Sequence, residues 1–114
     1  MRHKRDDVAF LQDMIEACDA IIEYTSDVTY DIFSRDRKTV DAVIRRFTIL
    51  GEAATQISKE FRAQYPEISW RDASDMRNVL VHFYHGADLK TVWDTAKNDL
   101  PVLMKKLKDI FSVQ

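Results

Sequence analysis

Only two Gly and two Pro occur in 114 residues, and apolar residues recur at three- and four-residue steps along nearly the whole chain. Few breakers and no sustained two-residue alternation leave one economical solution, an all-α fold. Leu11, Met14, Ile15, Cys18, Ile21 and Ile22 form one apolar stripe, which predicts a first helix from about Asp7 to Tyr24. Ser26 to Ser34 reads as a short segment, irregular or helical, and Arg35-Asp36-Arg37-Lys38 as a charged loop. Thr39 is the expected N-cap of a second long helix, whose stripe runs Val40, Val43, Ile44, Phe47, Leu50, Ala54, Ile57, Phe61.

Gly51 falls in the middle of that helix, where Gly costs roughly 1 kcal/mol against Ala. A close helix–helix approach at the Gly51-Glu52-Ala53-Ala54 segment would explain it. Pro66 ends the region, and Ser69 is the expected cap of a third helix with Trp70, Ala73, Met76, Leu80 and Phe83 on its apolar face. Gly86 sits where a helix-terminating glycine belongs. Asp88 is placed to cap a last helical region carrying Leu89, Val92, Trp93, Ala96, Leu100, Leu103, Leu107 and Ile110. Pro101 interrupts it, either by recapping at Asn98 or Asp99 or by a kink. The expected architecture is an antiparallel four- to five-helix bundle, one domain over 1–114.

Net charge is −2 with a pI near 5.9, which argues against broad nonspecific nucleic-acid binding. An RNA-directed role needs a local cationic groove, for which Arg35, Arg37, Lys38, Arg45 and Arg46 are candidates; solvated helix-face charges are the alternative. One cysteine, Cys18, excludes an internal disulfide and reads as a small buried hydrophobe. No apolar run approaches the ~20 residues of a membrane span, and the charged start suggests no signal segment, so the expected location is the cytoplasm.

The chemistry concentrates in Arg77-Asn78-Val79-Leu80-Val81-His82-Phe83-Tyr84. Arg can hold an anion and His can move a proton, a pair suited to a phosphodiester. His82 lies near the helix end before Gly86, where the macrodipole favours the imidazolium and repels phosphate, so a guanidinium is needed to hold an anion. Asn78 can position His82 or donate to a phosphate oxygen. Arg77 and Tyr84 nearly align on an α-helix, whereas Arg77 and His82 diverge by about 140°. Either the helix loosens near His82 or a second subunit completes the site, and a composite site at a dimer interface is favoured. A metal site on His82 and His85 lacks an evident third ligand. Trp70 and Trp93 read as core rather than as base-stacking platforms. Arg77 could also make an ordinary salt bridge with Asp72 or Asp75, and Glu52 could pair with an Arg across helices or help to position the site.

The motif Arg77-x4-His82-x-Tyr84 resembles the signature of the HepT-like branch of the HEPN superfamily. The Leu50-Gly51-Glu52-Ala53 segment, Pro66 to Arg71, Gly86-x-Asp88 and Val92-Trp93-Asp94 extend the resemblance over nearly the whole chain. It implies a homodimeric helical bundle whose two motifs face each other, acting as a metal-independent, cofactor-free endoribonuclease with Arg77 and His82 catalytic. It further implies the toxin of a two-gene toxin–antitoxin module, whose minimal nucleotidyltransferase antitoxin silences it by attaching AMP to Tyr84. Phe83 departs from the acidic or polar residue expected beside that tyrosine. A rival reading is a non-catalytic module that binds a nucleotide or substrate for a nucleotidyltransferase, and a third is a purely structural dimerisation domain.

Overall fold

The structure, a computed structural model, describes residues 4–78 and 89–114. Seven α-helices are formed by these residues: α1 Lys4–Thr25, α2 Tyr30–Arg35, α3 Arg37–Gln56, α4 Lys59–Gln64, α5 Trp70–Asp75, α6 Leu89–Asp94 and α7 Leu100–Ser112. No strand occurs among them, so the all-α expectation holds. The readings that fall on Leu80, His82, Phe83, Tyr84, His85, Gly86 and Asp88 lie outside the described residues.

The predicted stripe of α1 is the centre of the core: Leu11, Met14, Cys18 and Ile21 are fully buried against α3 and α7. Two polar contacts fix the directions of these helices. Asp7, at the start of α1, is buried and accepts from the Ser58 backbone N–H at 2.8 Å and the Ser58 hydroxyl at 2.7 Å, just past the end of α3. Thr25, at the other end of α1, has its carbonyl bonded by Lys97 Nζ at 3.0 Å, just before α7. Both α3 and α7 therefore run antiparallel to α1, as a bundle requires. Trp70 and Trp93 are buried, Trp93 beside Phe33 with ring centroids 5.0 Å apart, so both belong to the core.

Four local expectations are corrected. The charged stretch is not a loop: Arg35 ends α2, Arg37 and Lys38 begin α3, and Asp36 alone separates them. Asp36, not Thr39, is the N-cap of α3; its carboxylate accepts from the Thr39 amide at 3.3 Å and the Thr39 hydroxyl at 2.7 Å. The hydroxyl first, then the amide, holds the Asp36 carboxyl below its usual range. The second long helix does not continue to Phe61. It stops at Gln56, and Ser58 caps a new short helix through its hydroxyl on the Phe61 amide at 3.2 Å. Ser69 stands at the N-cap of α5 without a side-chain capping bond.

At Pro101 the expected recap is found in position only: Asp99 stands at the N-cap of α7. Thr95–Asp99 form one wide turn in which the Leu100 N–H reaches back five residues to the Thr95 carbonyl. Asp99 makes no capping bond, and α7 follows directly with Pro101 in its first turn. Proline has no N–H to donate and crowds the carbonyl four residues back, so a widened turn absorbs the defect.

Cys18 behaves as the stripe implies. Burial, with a smaller contribution from the Asp19 charge, pushes its thiol up to about 12. Because only the thiolate is nucleophilic, its reactive fraction at pH 8 is on the order of 10⁻⁴. Iodoacetamide at pH 8 is expected to leave Cys18 unlabelled in the folded protein and to label it fully in denaturant, as read by intact mass. Rapid labelling of the native state would contradict this packing.

Candidate active site at the junction of α3 and α5

The α-helical geometry of α5 ends at Asp75, and Met76–Asn78 tighten into a 3₁₀ turn. Arg77 lies in this turn and Asn78 closes it, both exposed. An angle of about 140° between Arg77 and His82 requires an α-helix at both ends. The helix already departs from that geometry at the arginine, because a 3₁₀ turn advances about 120° per residue.

The mid-helix glycine of α3 faces this turn. A Cβ placed on Gly51 would lie 2.6 Å from Arg77 Cβ and 2.8 Å from Arg77 Cα, and closer still to the Arg77 backbone nitrogen. Gly51 therefore forms a seat on which the backbone of Arg77 rests, the close approach inferred from the cost of the glycine. The next residue, Glu52, carries the charge: its Oε1 is 4.0 Å from Arg77 Nη1. Among the described residues the arginine thus pairs with Glu52 across helices, not with Asp72 or Asp75 on its own helix. One part of the open reading of Glu52, pairing with an Arg across helices, is what the structure shows.

On its other side Glu52 lines a groove of about 340 Å³ between α1 and α3, together with Phe10, Asp13, Arg45 and Ile49. Asp13 and Glu52 oppose a single Arg45 there, so this groove is not a cationic track. Two of the other candidate cations are engaged by acids one turn away, Arg35 with Asp31 at 3.1 Å and Arg37 with Asp41 at 3.9 Å. Of the five candidate cations, Arg35 lies on α2 and Arg37, Lys38, Arg45 and Arg46 lie on α3.

Asn78 stands beside Arg77 at the end of the turn, while His82 and Tyr84 lie outside the described residues. Among the described residues no group of three metal-binding side chains comes together, and no helix is long and apolar enough to cross a membrane. Sequence reasoning left the partner of Arg77 open because spacing along one helix says nothing of a group on another. The signal that could have found it was the pairing of a costly glycine with an adjacent acid.

This arrangement, a half-exposed guanidinium on a backbone seat, can hold an anion without moving the helix that carries it. Comparison with known proteins gives it context. The family model described as "Ribonuclease HepT-like" matches residues 14–110. The "Probable ribonuclease HepT" of Thermococcus cleftensis is 39% identical over 107 residues, covering 94% of this chain and 97% of that protein. A Methanocaldococcus jannaschii protein that carries an RNase name is 40% identical, covering 94% of this chain and 92% of its own length. Another, from Caldanaerobacter subterraneus, is 30% identical over 89% of this chain and 90% of its own. No solved structure gives a significant match. With a family match over most of the chain and relatives of nearly the same length, the chain belongs to the HepT-like ribonuclease family.

Proposed function

We propose that this protein is a homodimeric, metal-independent endoribonuclease of one domain that acts in the cytoplasm as the toxin of a toxin–antitoxin module. The observation that carries the reading is Arg77: its backbone is seated on Gly51 and its guanidinium is left half-exposed in a member of a ribonuclease family. The reaction is transesterification within RNA. The ribose 2′-oxygen attacks the adjacent phosphorus, the P–O5′ bond breaks, and a 2′,3′-cyclic phosphate and a free 5′-hydroxyl result. His82, from one or both protomers, takes the 2′-OH proton or supplies one to the leaving 5′-oxygen. Arg77 offsets the charge that grows on the phosphorane-like transition state. Asn78 orients His82 or donates to a phosphate oxygen.

Control follows from the tyrosine. A minimal nucleotidyltransferase antitoxin transfers AMP from ATP: the Tyr84 phenolic oxygen attacks the α-phosphorus and pyrophosphate leaves. The attached AMP is bulky and anionic, so it blocks the cleft and neutralises Arg77 in one modification.

The test uses protein free of the antitoxin and shown by mass spectrometry to be unmodified at Tyr84. It is expected to cut single-stranded RNA in EDTA, to leave cyclic-phosphate ends, and to spare DNA of the same sequence, which lacks the 2′-OH. Adding the nucleotidyltransferase with Mg·ATP is expected to add AMP to Tyr84 and stop cutting. Cutting abolished by EDTA would overturn the metal-free mechanism. Intact RNA with unmodified protein would favour a non-catalytic binding partner of a nucleotidyltransferase instead.

A further inference from the structure

The ion pair between Arg77 and Glu52 is too open to serve stability. The two side chains are 46% and 58% exposed, and pairs of this kind contribute little to folding. Its consequence is directional. The backbone and Cβ of Arg77 are fixed by the contact with Gly51, so the remaining freedom lies along the chain to the guanidinium. Glu52, one residue further along α3, sits where it biases that freedom. At 4.0 Å the contact is an electrostatic one, longer than a hydrogen bond, so the guanidinium N–H groups stay available to an incoming oxyanion.

We propose that Glu52 is the positioning residue of Arg77: its carboxylate aims the guanidinium before RNA arrives and competes with the RNA phosphate for it afterwards. The inference rests on the ribonuclease reading given above and adds to it a role for Glu52. It has a signature that a merely structural role lacks. A carboxylate paired with the guanidinium competes with the phosphate for it, so removing the carboxylate's charge strengthens ground-state binding through Arg77. The same removal leaves the guanidinium unaimed, so turnover falls. Affinity and rate therefore move in opposite directions.

The experiment compares wild type with Glu52→Gln and Glu52→Asp. Affinity is measured on a fully 2′-O-methylated single-stranded RNA, which cannot be cut, and kcat on the matching unmodified RNA. For Glu52→Gln, affinity for the uncut RNA is expected to rise about threefold and kcat to fall about tenfold. The melting temperature is expected to move by less than about 4 °C. Glu52→Asp keeps the charge and is expected to restore affinity to the wild-type value and part of the lost rate. In an Arg77→Ala background, Glu52→Gln is expected to change affinity by less than about twofold. An unchanged kcat in Glu52→Gln, or affinity and kcat falling together with the melting temperature, would overturn the proposal. If wild-type protein binds but does not cut RNA, the ribonuclease reading fails separately. The affinity measurements then decide alone, and equal affinities of wild type and Glu52→Gln overturn the role of Glu52.

Discussion

Replacing His82 by Ala is expected to lower the RNA cleavage rate by about 10²–10⁴-fold, the range that general acid–base help supplies. Replacing Arg77 by Ala is expected to lower it by about 10²–10³-fold through lost stabilisation of the transition-state charge. Arg77 is 46% exposed and its pair with Glu52 is open to water, so truncating it at Cβ leaves the Gly51 contact in place and barely alters stability. Loss of activity in a folded Arg77→Ala protein is therefore chemical rather than structural. Both variants should still form whatever dimer the wild type forms, as measured by sedimentation. If cleavage by His82→Ala stays within about threefold of wild type, His82 is not the proton-transfer group. Equal loss in the single variants and in the double variant would be the mark of groups that act as one unit.

The parts of this molecule that sequence revealed are those governed by local period. The stripe through Leu11, Met14, Cys18 and Ile21 gave α1, and the stripe from Val40 to Leu50 gave most of α3, because helical periodicity needs nothing beyond neighbours in the chain. The site's steric seat was legible too: a glycine inside a strong helix pattern asks for a neighbour, and Arg77 is that neighbour. What periodicity could not show depended on distant partners. The break between α3 and α4 lies at Ser58, whose amide and hydroxyl are taken by Asp7 from the far end of the chain. Apolar spacing carries straight through that break to Phe61. Arg62 adds to it by donating to the Ala54 and Thr55 carbonyls at 3.0 and 3.2 Å, closing the end of α3. Asp36 outcompeted Thr39 as a cap because a charged acceptor before the first turn binds both the amide and the hydroxyl of Thr39. At Pro101 the defect was visible but its remedy was not, since a wide turn and a new cap leave the same residues in sequence.

Gly51→Ala is expected to be the most damaging single methyl group that can be added near this site. In an isolated helix the change would stabilise by about 1 kcal/mol, because Ala is the better helix former. Here the added Cβ meets the Arg77 backbone nitrogen, Cα and Cβ, all inside contact distance. None of these is the end of a flexible side chain, so relief requires the Met76–Asn78 turn or α3 itself to move. Overpacking of this kind costs typically about 1–3 kcal/mol and occasionally more. With three such contacts the upper end, about 3 kcal/mol, applies; less the helix gain of about 1 kcal/mol, we expect a loss of about 2 kcal/mol and a melting temperature lower by about 10 °C. The displaced backbone carries the guanidinium with it, and a shift near 1 Å can cost about 10²-fold in rate, so RNA cleavage should fall by that order. A thermal melt and a cleavage assay on the same preparation check both halves. Gly51→Ala is expected to lose rate and stability together, since one contact supports both. A Gly51→Ala protein as stable and as active as wild type would mean that Arg77 is not seated on α3, and the geometry of the site would have to be rebuilt from a different arrangement of the turn.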